Sequence, residues 1–236
     1  MQTLYVVATP IGNLEDITIR AIKTLLTVPV IACEDTRRTG QLIKVLGERY
    51  KFLINLIDLM PKKYISVRDW NEAGTVGEVL KRLETEDVAL VSDAGTPLLS
   101  DPGFKVVRAV REAGGRVTPI PGAFAGAAAA SVAGLPTNKL MFWGFLPKKW
   151  KLAPGMTHVI YESPVRAART IYELKSRYPQ AVIVLANELT KIHERIENEE
   201  RWGDAEKIKG EVTILVYVGE QVAAAHGDGN GDLEQT

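Results

Sequence analysis

The stretch VALVSDAGTPLLSDPG, residues 88–103, joins a strand pattern to a polar loop. Residues 88–91 form a short apolar run, which is typical of a strand buried on both faces of a parallel sheet. The loop that follows is rich in aspartate, glycine, proline and serine, which make tight turns and expose backbone N–H groups. Residues 104–113 then predict a helix, with Pro102 near its first turn. This order predicts a ligand site at the carboxyl end of the strand.

The composition is that of an ordinary globular protein. Of 236 residues, 46% are hydrophobic and 25% are charged, which suits one large domain or two small ones. Lys and Arg together number 29, and so do Asp and Glu. The overall charge therefore neither favours nor excludes a polyanionic partner, and any nucleic-acid surface must be local.

The single cysteine, Cys33, lies in an apolar run. An internal disulfide framework is therefore excluded, and we expect a thiol that packs in the core of a cytoplasmic protein. The longest apolar stretches, at 25–33 and 123–133, are too short or too broken to cross a bilayer. We also expect no signal peptide, because Met1 leads directly into a strand. These features predict no membrane partner.

Strand and helix patterns alternate through the first half of the chain. We predict strands at 4–8, 28–33, 52–57, 88–91 and 117–120. We predict helices at 17–26, from after residue 38 to about 46, at 76–84 and at 104–113. The alternation predicts an N-terminal α/β domain at residues 1–120, with a mostly parallel sheet and helices on both faces.

The pattern changes after a hinge that we place near residues 120–122. An alanine-rich, closely packed helix is predicted at 123–133 and another helix at 165–178. We predict strands at 140–145, 158–161, 181–186 and 212–218. They indicate a C-terminal α+β domain with a mixed sheet at residues 121–222. Residues 223–236 are rich in glycine and short of hydrophobic anchors, so we predict a disordered tail.

Polar loops recur at the ends of the predicted strands in both halves. They lie at 9–16, 34–39, 92–103 and 161–166, with a further polar segment at 187–194. Each has a structural alternative: Asp93 would cap a turn, and Arg37 and Arg38 would begin a solvated helix. If the two halves pack side by side, these loops face one cleft.

Several common catalytic patterns are absent from the sequence. There is no G-x-G-x-x-G after the first strand and no G-x-x-x-x-G-K-[ST], which argues against an ordinary dinucleotide site and a P-loop. The three histidines are scattered, so we expect no metal site. G-x-S-x-G is also missing. The remaining possibility is a ligand held by backbone amides, one or two carboxylates and apolar walls, and an adenosyl ligand fits that description.

Eight ordered segments carry a family resemblance. They are LYVVATPIGNLEDIT (4–18), IACEDTRRT (31–39), VALVSDAGTPLLSDPG (88–103), PIPG (119–122), GLPT (134–137), GFLPKK (144–149), YESPVR (161–166) and ELTKIHE (188–194). In order and spacing they resemble the bacterial ribosomal RNA small subunit methyltransferase I family, within the tetrapyrrole methylase superfamily. The resemblance extends from residue 4 to about residue 219.

The resemblance implies a two-domain tetrapyrrole methylase-like α/β fold, a homodimer, and S-adenosylmethionine between the domains. It also implies methylation of the 2′-hydroxyl of a cytidine ribose in small-subunit ribosomal RNA. By position, it assigns binding of the methyl donor to Pro10, Asp93, Ala94, Gly95, Thr96, Ala123, Phe124 and Tyr161. Carbonyl oxygens and apolar walls suit a sulfonium, which is a cation surrounded by carbon.

A ribose hydroxyl is a poor nucleophile while it keeps its proton. We therefore expect a general base, or a cation that stabilises the developing alkoxide, worth roughly 10²–10⁴ in rate. The candidates are Glu34, Asp35, Glu162, Glu188 and Lys191, among which the sequence does not choose. Candidates for contacts with RNA phosphates are Arg37, Arg38, Lys148, Lys149, Lys151, Arg166 and Arg169. Ordinary solvated surface charge is the alternative for each of these.

Three segments depart from the family pattern. Residues 67–72 read VRDWNE where the family has a His-Glu-His-Asn-like stretch, so that only Asn71 and Glu72 match. Ala123-Phe124 replaces a Pro-Ser pair, and the segment between 149 and 157 is shorter than usual. Two other functions stay open. One is a related methylase acting on a tetrapyrrole or a protein, although the ACEDTRRT and SDAGTPLLSDPG segments argue against it. The other is a non-catalytic RNA-binding or assembly factor of the same fold, which is consistent with these three departures.

Overall fold

Two five-stranded sheets follow one another along the part of the chain that the computed structural model describes, namely residues 1–50, 52, 61–203 and 208–219. The strands of the first sheet are β1 (Thr3–Val7), β2 (Val30–Cys33), β3 (Lys63–Ser66), β4 (Val88–Val91) and β5 (Arg116–Ile120). They pair in parallel in the order β3-β2-β4-β1-β5. All residues of β2 and β4 are buried, as expected for central strands covered on both faces.

Helices cover both faces of the first sheet. They are α1 (Ile19–Thr27), α2 (Thr36–Tyr50), α3 (Glu72–Leu83) and α4 (Phe104–Glu112). Leu25 of α1 and Leu46 of α2 share one apolar cluster with β2, whereas Val79 of α3 and Val110 of α4 share another with β4. The α/β class predicted for the first half is therefore confirmed. Because all the strands are parallel, the loops after β1, β2, β3 and β4 meet at one edge of the sheet.

Between residues 61 and 76 the structure has two features that the sequence did not predict, a strand and an earlier helix start. Apart from Phe52, the strand predicted at 52–57 lies outside the described residues. The third strand is β3, an edge strand with only Ile65 buried, so it lacks the apolar run of a central strand. Helix α3 begins at Glu72 rather than near residue 76. The start of the helix was not recognised in the sequence because its first turn contains a glycine. Hydrogen bonds of Asn71 and Glu72 stabilise this start.

The second sheet is mixed, as predicted. Its strands are β6 (Leu140–Phe145), β7 (Met156–Glu162), β8 (Val182–Asn187), β9 (Arg195–Asn198) and β10 (Val212–Val218), in the order β6-β7-β10-β8-β9. Only the pairing of β6 with β7 is parallel. The edge strand β9 was not predicted, because its sequence RIEN is polar and none of its residues is buried. Helix α6 (Pro164–Arg177) packs against one face through Ile171 and Leu174, and the short helix α7 spans Glu199–Trp202.

Helix α5 (Ala125–Val132) covers the other face of the second sheet. Its buried Ala129 packs with Val159, Leu215 and Ile11, and Ile11 belongs to the loop after β1. The two halves therefore share one apolar cluster. The first sheet ends at Ile120, where we propose the boundary between domains at 1–120 and 121–222. The tail predicted at 223–236 lies outside the described residues.

Within those residues, none of the helices combines the length and apolar character needed to cross a bilayer.

Candidate active site

A cleft of about 250 Å³ opens where the loops at the carboxyl edge of the first sheet face the second sheet. One wall is the loop after β4, and the other comes from α5 and the ends of β6 and β7. Of the predicted cofactor residues, six line it: Asp93, Ala94, Gly95, Thr96, Phe124 and Tyr161. Pro10 lines an adjoining cleft that shares Asp93 and Ala94. Ala123 is connected to the wall, because its carbonyl oxygen accepts a hydrogen bond of 2.9 Å from the hydroxyl of Thr96.

Backbone contacts fix the first wall. Thr9 and Gly95 exchange two hydrogen bonds of 2.9 and 3.1 Å between their backbone N–H and C=O groups. Gly95 has a φ of +79°, and a Cβ atom there would lie 3.2 Å from a methyl group of Ile11. A side chain at this position would be both strained and crowded. The backbone of residues 93–96 is thus held against the loop after β1.

Aromatic rings form the opposite wall. Phe142 meets Phe124 and Tyr161 edge to face, with ring centroids 5.1 and 5.0 Å away. The Tyr161 hydroxyl accepts a hydrogen bond of 3.2 Å from the backbone N–H of Gly126, and burial raises the pKa of Tyr161 to about 12. Phe124 therefore occupies a place in a packed aromatic cluster. An apolar wall opposite a polar loop suits an adenosyl ligand.

Asp93 connects the loops after β2 and β4. Its carboxylate accepts a hydrogen bond of 3.1 Å from the backbone N–H of Asp35 and another of 3.1 Å from the Arg38 guanidinium. Asp35 in turn accepts hydrogen bonds from the backbone N–H groups of Arg37 and Arg38, which lower its pKa. Asp35 therefore caps the start of α2, and Asp93 holds that cap against the cleft.

The predicted candidates Glu162, Glu188 and Lys191 are engaged in local contacts. Glu162 is buried, and its oxygens accept hydrogen bonds from the Ser163 N–H, the Arg166 guanidinium and the Thr170 hydroxyl at 2.7–2.8 Å. In a separate cluster, the ammonium group of Lys191 donates hydrogen bonds of 2.9 Å to Glu188 and to Glu211. Because of these contacts, the carboxylates of Glu162 and Glu188 are poorly placed to accept a proton from a substrate.

The pKa shifts of Lys191 and Glu188 agree with the hydrogen bonds between them. The hydrogen bond from Lys191 lowers the pKa of Glu188. Burial alone would lower the pKa of Lys191, but its bonds to Glu188 and Glu211 outweigh burial and raise it. Lys191 lines the adjoining cleft on the side of Pro10, so it is a fixed cation at that side.

Asp101 is a cleft residue that the sequence analysis assigned only to the start of a helix. It lines the same cleft as Tyr161. Burial raises the pKa of Asp101 to about 6, and the charges of Glu34, Asp93 and Asp69 add to the shift. Burial also raises the pKa of Glu34, with further contributions from Asp93 and Asp69. The loops after β2, β3 and β4 thus bring together the carboxylates of Glu34, Asp69, Asp93 and Asp101, which are far apart in the sequence.

Asn71 and Glu72, the two residues of the segment 67–72 that match the family pattern, hold loops of the cleft in place. Asn71 accepts a hydrogen bond from the backbone N–H of Arg68 and donates one to the carbonyl oxygen of Ser66. The buried Glu72 accepts hydrogen bonds from the backbone N–H groups of Gly103 and Lys105, at 3.1 and 2.5 Å. Glu72 therefore fixes the end of the loop that carries Asp101. No sequence signal indicated this bond, because it joins distant segments.

All seven basic residues predicted to contact RNA are exposed. Three of them form ion pairs: Arg38 with Asp93, Arg166 with Glu162, and Arg169 with Glu173. Lys148, Lys149 and Lys151 form no ion pair with any described residue. They flank Trp150, whose ring lies under the Arg177 guanidinium at 3.8 Å. This contact anchors residues 148–151, which we call the lysine loop, on the surface of the part of the chain that contains the second sheet.

The cysteine thiol and the possible metal ligands are considered separately from the cleft. Cys33 is fully buried, and burial raises its pKa to about 11, so its thiol stays protonated at neutral pH. Among the described side chains, no group of three or more His, Cys, Asp or Glu residues is arranged to hold a metal ion.

Comparison with known proteins agrees with this geometry. The family model for Tetrapyrrole (Corrin/Porphyrin) Methylases matches residues 3–201. Ribosomal RNA small subunit methyltransferase I of Haemophilus influenzae is 38% identical over 231 residues, covering 90% of this chain and 77% of that protein. The protein of the same name from Synechocystis is 42% identical over 206 residues, covering 83% and 70%. The chain belongs to the ribosomal RNA small subunit methyltransferase I family.

Solved structures show the fold of this methylase family member. Uroporphyrin-III C-methyltransferase of Thermus thermophilus superposes with a TM-score of 0.66 at 19% identity, covering 92% of this chain and 94% of that one. A complex of that enzyme with S-adenosyl homocysteine gives a TM-score of 0.58 at 16% identity, covering 93% and 98%. The methylase therefore has the tetrapyrrole methylase fold, as predicted.

Proposed function

We propose that this protein transfers a methyl group from S-adenosylmethionine to the 2′-hydroxyl of a cytidine ribose in small-subunit ribosomal RNA. The observation that carries the proposal is the convergence of the residues assigned to the methyl donor around one cleft. The relatives named for ribosomal RNA methylation cover nearly the whole chain and supply the substrate class.

The cleft residues fit the methyl donor chemically. The polar loop of residues 93–96 faces its polar ends, and the aromatic wall around Tyr161 and Phe124 accepts its apolar parts. When bound, S-adenosylmethionine supplies an electrophilic methyl group. The protein's task is to orient the ribose hydroxyl toward that methyl at about 3 Å and to accept the hydroxyl proton.

Asp101 is the proton acceptor that the geometry favours. Asp101 lines the cleft, whereas the carboxylates of Asp35 and Glu162 are occupied by local hydrogen bonds. Glu34 is the remaining predicted candidate, and it lines a neighbouring cleft with Asp93. A pKa of about 6 suits Asp101 to proton transfer near neutral pH.

We also propose a cytoplasmic homodimer. The single cysteine is compatible with a reducing compartment. Edge strand β6 exposes Leu140 and Met141, which are 41% and 40% accessible, and a second copy would cover such apolar side chains.

Methyl transfer is tested with labelled S-adenosylmethionine and unmodified small ribosomal subunits. We expect label in the ribosomal RNA, at a linkage that resists alkaline cleavage because its 2′-oxygen carries the methyl group. Label in a tetrapyrrole or a protein instead would indicate the related-methylase alternative. Subunit binding without any transfer would indicate an assembly factor.

Neutralising the lysine loop is expected to weaken the salt dependence of RNA binding. With Lys148, Lys149 and Lys151 changed to Gln, the slope of log affinity against log salt should become shallower by about 2, since each phosphate contact on single-stranded RNA contributes about 0.7. The control changes the exposed Lys23, Lys81 and Arg111 to Gln; these residues lie on helices of the first sheet. Equal slopes for the lysine-loop variant and the wild type would contradict the assignment.

A further inference from the structure

Phe145 presents an exposed aromatic ring to the cleft. It is the last residue of β6, its side chain is 51% accessible, and it lines the same cleft as Asp101 and Tyr161. Because about half of its surface stays in contact with solvent, this ring contributes less to stability than a buried ring would. The ring is therefore available to a ligand.

A bulge in β6 sets the position of this ring. The register with β7 shifts between Phe142 and Gly144, and Gly144 has a φ of +61°. A Cβ atom at Gly144 would lie only 2.8 Å from the Ser100 hydroxyl. The end of β6 is thus pressed against the loop after β4. Bulges of this kind re-aim side chains next to binding sites.

A fixed cation lies over the ring. The Arg166 guanidinium carbon is 5.5 Å from the centre of Phe145. Two of its nitrogens lie 2.8 Å from the buried Glu162 carboxylate, which the Thr170 hydroxyl also holds. The side chain of Arg166 nevertheless remains 55% accessible. Ring and guanidinium together form a preorganised stacking surface.

We propose that Phe145 and Arg166 form the subsite for an unpaired pyrimidine base of the RNA substrate. This inference rests on the proposed function and adds the place where the target nucleotide is held. A ribose whose 2′-hydroxyl lies beside Asp101 carries its base within one nucleotide of that point, at the rim where Phe145 lies. Proteins that read single-stranded RNA stack such bases on aromatic rings and on arginine planes.

Position along the chain favours Phe145 over Trp70, another exposed aromatic residue that lines a cleft. Carboxylates line both clefts, so they do not distinguish the two rings. The lysine loop, however, begins three residues after Phe145. RNA backbone attracted by those lysines passes the Phe145 ring.

The first test compares variants at the ring. Phe145→Leu removes the aromatic face and is expected to raise KM for unmodified small subunits about 5- to 150-fold, the range found when a stacking residue is lost. Phe145→Tyr keeps the face and should stay within threefold of the wild type. Affinity for S-adenosylhomocysteine should be the same in both. As a matched control, Tyr172→Leu removes an exposed ring further along α6, which is 74% accessible.

The second test reads the contact directly and does not depend on turnover. Small subunits are reconstituted with ribosomal RNA containing 5-iodocytidine, irradiated with the protein, and the cross-linked residue is identified by mass spectrometry. A cross-link at Phe145 is the expected result. A cross-link at Trp70, or none, would overturn the subsite even if methyl transfer is intact. Failure of the wild type to methylate ribosomal RNA would instead overturn the proposed function.

Discussion

Changing Asp101 to Asn is expected to lower kcat for ribosomal RNA methylation by ~10²–10⁴-fold, the usual contribution of a general base. The variant should bind S-adenosylhomocysteine as the wild type does, because the backbone of residues 93–96 and the aromatic wall are unchanged. It should also fold normally, since burial disfavours the charged form of Asp101 and an amide carries no charge. Single-turnover rates and calorimetric binding measure the two effects separately.

The pH dependence gives an independent check on Asp101. A carboxylate accepts a proton only when it is ionised, so the wild-type kcat/KM should rise with pH through about 6 and then level off. Glu34→Gln removes one of the negative charges that raise this pKa. Its profile should therefore shift to lower pH while turnover remains. If Glu34→Gln abolishes turnover and Asp101→Asn does not, Glu34 is the base.

Changing Glu72 to Ala is expected to destabilise the protein by about 3 kcal/mol, because hydrogen bonds to a charged acceptor are lost and a buried donor is left unpaired. The donors are the backbone N–H groups of Gly103 and Lys105, at the end of the loop that carries Asp101. The same variant should weaken binding of S-adenosylhomocysteine, since that loop forms one wall of the cleft.

Urea unfolding measures the loss for Glu72. Glu78→Ala is the matched control, because Glu78 lies on the exposed side of the same helix and its removal should change stability by less than about 0.5 kcal/mol. Glu72→Gln keeps one acceptor oxygen and should fall between the two. Equal midpoints for Glu72→Ala and Glu78→Ala would show that the buried carboxylate does not hold the loop.

The sequence predicted the features that are local along the chain. Strand β4 and the turn after it form one continuous segment, so the buried strand, the following helix and the polar loop could all be read from residues 88–113. The bounds of β6 and β10 were likewise predicted correctly, because they are apolar runs. The edge strands β3 and β9 were missed because partial burial leaves no such run.

Features that depend on distant contacts could not be predicted. The sequence shows that Glu162 is acidic, but only the fold shows that Ser163, Arg166 and Thr170 occupy its oxygens. Asp101 likewise acquires its raised pKa from burial and from carboxylates on other strand ends. The residue type was visible in the sequence, whereas its chemical environment was not.

The apolar cluster that joins Ile11 to Ala129, Val159 and Leu215 has a consequence for turnover. Separating the two sheets would expose this cluster to water, which makes wide opening costly. Spent donor must then leave through the mouth of the cleft, past the side chains at its rim. Residues at that mouth, rather than a movement of one domain relative to the other, should determine how fast the spent donor is replaced by a new donor molecule.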